Sequence, residues 1–387
     1  MSHLLSLPPE LISEITVRLA YKDLKALSVV SFTTRQLVLP SLFRSVLWNI
    51  SSGSQCIKEA HDEVNNAGTK IKHVIQRVLV IMPFCYQFTD VNRALALPIY
   101  VFQFLETLPK LSDIVIHHWT VRVRLQDLHF FPKIAKQTSL RHLSFSSEYG
   151  SHANGQPVSG PEGLESLSVK WHVADGQDPG SAMSHLYEFL RPSLGTLTCL
   201  ELHDYPILKF CVLGPACTSL RKLKYTTYNQ SPQVLETIAE MFPHVTDLAM
   251  LFQTCVWVDE FLEPLSSFRD LTHLTLSLDF EIAADDSLDE DHDFAWYRRC
   301  FFRRFRAAEE IAKVCPKLQR CNWIQLNIDS KCNDQEHEFV IREEAGHRVV
   351  KPVMQWWMAN HYKKRHGGPL PDDMVKENAY WEQYTWQ

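Results

Sequence analysis

Residues 245–276 read VTDLAMLFQTCVWVDEFLEPLSSFRDLTHLTL. At each end stands the same six-residue phrase, an apolar residue, two free positions, an apolar residue, one free position and an apolar residue: Val245-Thr-Asp-Leu248-Ala-Met250 and Leu271-Thr-His-Leu274-Thr-Leu276. The last three positions alternate, as a half-buried strand requires. Between the two copies Asp259 opens a segment with Leu262, Leu265 and Phe268 at helical spacing, and the acidic residue suits a helix start. Strand, helix, strand in about 32 residues predicts a parallel pair joined by a crossover helix.

The phrase recurs outward in both directions. Upstream stand Ile75 to Val80, Leu111 to Ile116, Leu140 to Phe145, Leu164 to Val169, Leu194-Gly-Thr-Leu197 with Leu200-Glu-Leu202, and Leu220 to Tyr225; downstream stands Leu318 to Trp323. Successive starts from Leu111 to Leu271 lie 24 to 30 residues apart. Helical patterns precede many copies, at Pro98 to Leu108, after Ser231-Pro232 and at Arg298 to Cys315. No single unit of this size buries its own apolar face, so neighbours stack. The series is similar to leucine-rich repeats, which implies a curved α/β solenoid whose strand face binds a ligand. The family's asparagine ladder is not matched: its place is taken by Glu148, His172, Tyr205, Tyr228, Gln253 and Asp279. Candidate target-binding residues on or beside the strands are Trp171, Glu201, His203, Lys224, Phe252 and Thr275.

The first fifty residues have another rhythm. Pro8-Pro9-Glu10 suits a first helical turn. Leu11, Ile12, Ile15 and Leu19 follow at helical spacing. Asp23 is a candidate cap for a second helix bearing Leu24, Leu27 and Val30, and Thr33 or Thr34 for a third. Pro40 reads as a restart, and Phe43 to Trp48 as a strand. Three helices in so short a span cannot enclose a full core, so their apolar faces need a cover. The order and spacing of Leu7-Pro8, Glu10-Leu11, Ile15, Leu19, Asp23-Leu24, Leu27, Val30-Ser31, Arg35, Leu37, Pro40, Leu42-Phe43-Arg44 and Val46 resemble the F-box motif over about 40 residues. Lys22 stands where that motif often has proline, and Phe32-Thr33-Thr34 replaces its basic-aromatic step. The resemblance implies docking to the Skp-type adaptor of a cullin-RING ubiquitin ligase through Leu7, Pro8, Leu11, Ile15, Leu24, Leu27 and Val30.

Composition bounds the alternatives. Apolar residues make up 45% and charged residues 22%, with a formal net charge of −6; no overall field draws the chain to nucleic acid or anionic lipid. No apolar run approaches a membrane span, and the N-terminus lacks a basic-then-apolar export pattern. The ten cysteines include no C-x-x-C pair, which fits reduced thiols in the cytoplasm or nucleus. No catalytic motif stands out; His117-His118 has no partner at metal-ligand spacing, and no cofactor is implied.

The expected organisation is therefore an F-box over 1–50, a leucine-rich-repeat-like α/β array over 51–328 with an acidic insertion at 281–293, and a C-terminal cap over 329–387. Glu338 to Arg342 and His347 to Val350 read as a hairpin in that cap. The expected role is a non-catalytic substrate receptor that binds the adaptor, and through it a cullin, and captures an unknown target protein. The alternative is a repeat scaffold that binds the adaptor or other proteins without promoting ubiquitination.

Overall fold

A computed structural model describes residues 7–49, 69–81, 95–96, 99–116, 121–124, 127–149, 158–173, 179–203, 217–227, 234–252, 259–277, 294–325 and 335–353. The acidic stretch 281–293, His117-His118 and the tail beyond Val353 lie outside them. The chain is mixed α/β, and it divides into two compact units, Met1–Leu202 and His203–Gln387.

The first unit opens with three helices, α1 (Pro9–Arg18), α2 (Tyr21–Ser28) and α3 (Phe32–Leu42). Proline in the first turn of α1 loses no hydrogen bond, and Glu10 meets the positive pole. Two capping expectations change. Asp23 lies inside the first turn of α2, with Ala20 at the cap. The cap of α3 is Ser31, whose Oγ accepts from the Thr34 amide at 3.0 Å; its extended backbone suits a cap. Pro40 does not restart the chain: α3 carries it and stops two residues later, in keeping with the carbonyl clash that proline imposes. Between the helices Ile12, Leu24 and Val38 are buried. The buried Thr16 hydroxyl donates to the Ser13 carbonyl at 3.0 Å and accepts from Ser41 Oγ at 2.9 Å, so its burial costs little.

From there the unit alternates. Strand β1 (Ser45–Asn49) is followed by α4 (Thr69–Lys72), β2 (Arg77–Ile81), β3 (Leu95–Ala96), α5 (Ile99–Leu105), β4 (Asp113–Ile116), β5 (Val121–Arg124), α6 (Phe130–Gln137), β6 (His142–Tyr149), β7 (Ser166–Val173), α7 (Pro179–Leu190) and β8 (Cys199–His203), whose last residue, His203, belongs to the second unit. Strands β1, β2, β4, β6 and β7 pair in parallel in that order, with β8 beside β7; β5 pairs with β3 and with β6. The second unit holds β9 (Lys222–Thr227), α8 (Val234–Met241), β10 (Asp247–Phe252), α9 (Asp259–Ser266), β11 (His273–Ser277), α10 (Phe294–Val314), β12 (Arg320–Gln325), β13 (Gln335–Glu344) and β14 (His347–Pro352). Strands β9 to β12 are parallel. β13 and β14 then add antiparallel as the expected hairpin, which turns at Ala345-Gly346 with positive φ at both.

Register explains why the phrase repeats. Val78, Ile114, Leu143 and Leu167 stand opposite one another, as do Val80, Ile116, Phe145 and Val169. In the second unit Leu223, Leu248, Leu274 and Cys321 form one row, and Tyr225, Met250, Leu276 and Trp323 the next. All sixteen are buried. The residue after each leading apolar position has its own task. Its carbonyl accepts two amides from the next copy: Arg44 from Gln76 and Arg77, Gln76 from Ser112 and Asp113, Ser112 from Arg141 and His142, Arg141 from Glu165 and Ser166, and Glu165 from Thr198 and Cys199, all at 2.8–3.1 Å. In the second unit Arg221, Thr246 and Thr272 do the same.

This ladder changes two readings of the phrase. The copy before β8 starts at Leu197, because Thr198 and Cys199 are the residues bonded to Glu165. Phe43-Arg44-Ser45-Val46-Leu47-Trp48 is itself a copy, because Arg44 starts the ladder. The third helix thus runs into the first strand with two residues between them, and Trp48 meets the Phe104 ring edge-on at 4.8 Å between centroids.

Candidate functional site

In α1, Ile12 and Thr16 point inward one turn apart, and Leu11 and Ile15 form the equivalent pair on the outside, 48% and 38% exposed. Around them Pro8 is exposed, Leu7 and Leu27 are half-buried, and Val30 is 42% exposed. Leu24 differs: at 5% exposure it belongs to the interior. Four large apolar side chains not singled out in the sequence are also open: Val17, Tyr21, Val29 and Phe32. Among the described residues the three helices bury only Ile12, Leu24 and Val38 as apolar side chains and leave several large ones exposed.

The strand candidates are more dispersed. Lys224 and Thr275 sit in one row, with Ala249 between them and Asn322 beyond; all four are half-buried, on the side opposite the packed rows. Glu201 and His203 alternate with buried Leu200 and Leu202 along β8. The His203 Nδ1 lies 3.1 Å from Thr226 Oγ1. Trp171 stands opposite Ser147 on β7, and Phe252 opposite Thr227 on β10; their side chains lie outside the described ones. At the strand starts Arg141 pairs with Glu165 at 2.5 Å and Lys222 with Asp247 at 3.1 Å, and Arg320 at the start of β12 pairs with Glu338 within β13 at 3.4 Å. Exposed pairs of this kind contribute little stability.

One further feature joins residues that sequence reading leaves far apart. Where β6, β7 and β8 begin, a cleft of about 530 Å³ is lined by Thr138, Arg141, Glu162, Glu165, Thr196 and Thr198, among others.

Three of the described cysteines are buried thiols. Burial pushes the thiol of Cys217 up to about 11 and that of Cys315 up to about 12, and also raises that of Cys321; such thiols are poor nucleophiles. Among the described residues no group of three or more His, Cys, Asp or Glu is placed to hold a metal ion, and no helix is long and apolar enough to cross a membrane. No protein-family model matches the chain, and no curated protein matches it at a significant level.

Proposed function

We propose that the chain is a substrate-recognition subunit of a Skp-cullin-F-box ubiquitin ligase. In this reading the three N-terminal helices are an F-box that docks on the Skp-type adaptor, and the parallel strands with their crossover helices are a leucine-rich-repeat-type array that captures a target protein. The observation that carries it is the outward placement of Leu11, Ile15 and Val30, which the motif resemblance assigns to the adaptor. Burying each such side chain contributes about 1.5–3 kcal/mol. Several together can offset an association cost of roughly 4–15 kcal/mol. The chain itself performs no chemistry in this role. It raises the local concentration of a target near a transfer site carried by other subunits.

The junction supports the same reading. Arg44 closes the helical segment and opens the carbonyl ladder, which ties the three helices to the first strands of the array.

The test is co-purification of the full chain with a Skp-type adaptor, and then with a cullin. Leu11→Asp with Ile15→Asp is expected to abolish adaptor binding while leaving the circular dichroism spectrum unchanged, since both residues are exposed. Failure of the wild-type chain to bind the adaptor removes the ligase reading. Adaptor binding without cullin leaves the scaffold alternative.

A further inference from the structure

The cleft at the starts of β6, β7 and β8 is fixed by devices that serve no strand. Its rim is the turn Gly160-Pro161-Glu162-Gly163. A Cβ on Gly160 would lie 2.0 Å from the Phe189 carbonyl oxygen, so only glycine fits. The fully buried Ser193 hydroxyl bridges the turn, donating to the Pro161 carbonyl at 2.6 Å and accepting from the Leu164 amide at 2.9 Å. Gly163 closes it with φ +79°, a conformation that favours glycine. Glu162 is thereby held out from a rigid support, the preorganisation that recognition sites need.

Beside the donors Thr138, Ser139 and Arg141, the cleft has polar groups that can only accept. Thr196 commits its hydroxyl proton to the Leu164 and Ser193 carbonyls at 2.8 and 3.1 Å, and Thr198 commits its own to the Glu165 carbonyl at 3.0 Å. Both oxygens therefore keep only lone pairs for a ligand. Arg141 neutralises Glu165, whereas Glu162 has no ion-pair partner among the described residues, so the cleft carries net negative charge. The wall formed by Ala135, Thr138 and Ser139 is the C-terminal end of α6, capped at Thr138. That end is the negative pole of the helix. Lys136, in the last turn, is not among the lining residues. Carboxylate, acceptor oxygens and a helix C-terminus all favour a donor with positive charge and disfavour an anion.

We propose that this cleft receives a cationic side chain, lysine or arginine, of the polypeptide that the array binds. The proposal rests on the target-capture reading above and gives it a place and a charge. A volume of about 530 Å³ lies inside the range of about 300–1,000 Å³ typical of ligand clefts, which is room for a side chain and its flanking backbone. A bare metal ion is the weaker occupant, since no three ligating side chains converge among the described residues.

The test uses the full chain and four acetylated, amidated pentapeptides, Gly-Gly-Xaa-Gly-Gly with Xaa arginine, lysine, citrulline or glutamate, in saturation-transfer NMR. Arginine and lysine peptides at millimolar concentration are expected to give side-chain saturation that falls as salt rises. Citrulline, the same shape without charge, is expected to give at most a small fraction of it, and glutamate none. Glu162→Gln is expected to weaken arginine-peptide binding about two- to five-fold, as loss of one exposed ion pair does; the exposed Glu240→Gln on α8 changes nothing. Equal saturation from citrulline, none from either cation, or an unchanged Glu162→Gln variant overturns the proposal. Adaptor co-purification on the same samples separates the two failures: a chain that keeps the adaptor and ignores the peptides has lost only the cleft.

Discussion

Arg348 of β14 donates from Nη2 to the carbonyl oxygen of Leu318 at 2.5 Å, 30 positions away in the chain. Its Nη1 donates to the Cys315 carbonyl at 2.9 Å and also to that of Ala312. These carbonyls belong to the end of α10 and the segment that follows it, where helical partners run out and where a positive charge is favoured. One guanidinium fork thus ties the terminal hairpin to the last crossover helix. Arg348→Ala is expected to lower the unfolding free energy of the second unit by about 2–3 kcal/mol, as loss of charged hydrogen bonds does. Arg348→Lys is expected to recover only part of it, because an ammonium cannot span three acceptors in one plane. Urea unfolding followed by hydrogen exchange over β12–β14 checks both; an unchanged midpoint for the alanine variant refutes the tie.

The strand rows were legible in the sequence because burial on one face forces alternation, and the L-x-x-L-x-Φ phrase states that alternation directly. Where it failed, the reason is local. Leu194 and Leu197 are both leucines three apart, and only the bonds from Thr198 and Cys199 to the Glu165 carbonyl choose between them. The first copy was hidden because Phe43 stands where the other copies lead with an aliphatic residue. In the helical module spacing names the apolar residues but not their direction. Leu24 and Leu11 carry the same side chain, and which one faces inward depends on how three helices cross. The cleft was not legible at all. Glu162 and Thr196 are 34 positions apart, and what brings them together is the stacking of strand starts and a serine bridge that leave no periodic signal.

That serine bridge makes a prediction about the turn. Ser193→Ala leaves the Pro161 carbonyl and the Leu164 amide without their partner in a buried place, at a cost of about 1–3 kcal/mol. Gly163→Ala meets no neighbour but must hold a left-handed backbone, at about 1–2 kcal/mol. Gly160→Ala cannot be accommodated without moving the end of α7, and is expected to be the most damaging of the three. Thermal unfolding midpoints should rank Gly160→Ala below Ser193→Ala and Gly163→Ala, with the wild type highest. A Gly160→Ala variant as stable as wild type contradicts the close approach to Phe189.

The buried thiols set a dependence on pH. In the unfolded chain these cysteines ionise near 9.0, whereas burial holds Cys217 back to about 11 and Cys315 to about 12. A raised folded value means that the folded state keeps the proton the unfolded state gives up. The contribution to stability is therefore fully present below pH 9 and is lost as pH climbs from 9 towards 12. Stability measured in urea is expected to fall across that window, less steeply in Cys315→Ser if the serine is accommodated. At pH 8 iodoacetamide should leave Cys217, Cys315 and Cys321 unmodified in the native chain and label them in denaturant, read by peptide mass spectrometry. Native labelling at the rate of a free thiol contradicts their burial.

Leu11 and Leu24 offer the cleanest separation of stability from docking. Leu24→Ala empties a buried site and is expected to cost about 2–5 kcal/mol of stability, which in a module with so few buried aliphatic residues is enough to melt it. Leu11→Ala removes a side chain already 48% exposed and is expected to change stability by less than about 0.5 kcal/mol. Binding should order the pair differently. If the exposed face meets the adaptor, Leu11→Ala weakens the complex by about 1–2 kcal/mol, the transfer energy of the lost methyl groups, in a chain that is still folded. Titration calorimetry of the adaptor into each variant, paired with hydrogen exchange over α1–α3, reads both quantities. A Leu11→Ala chain that binds as the wild type does moves the contact away from this side chain, to Val17, Tyr21, Val29 and Phe32, other apolar side chains the helices leave open.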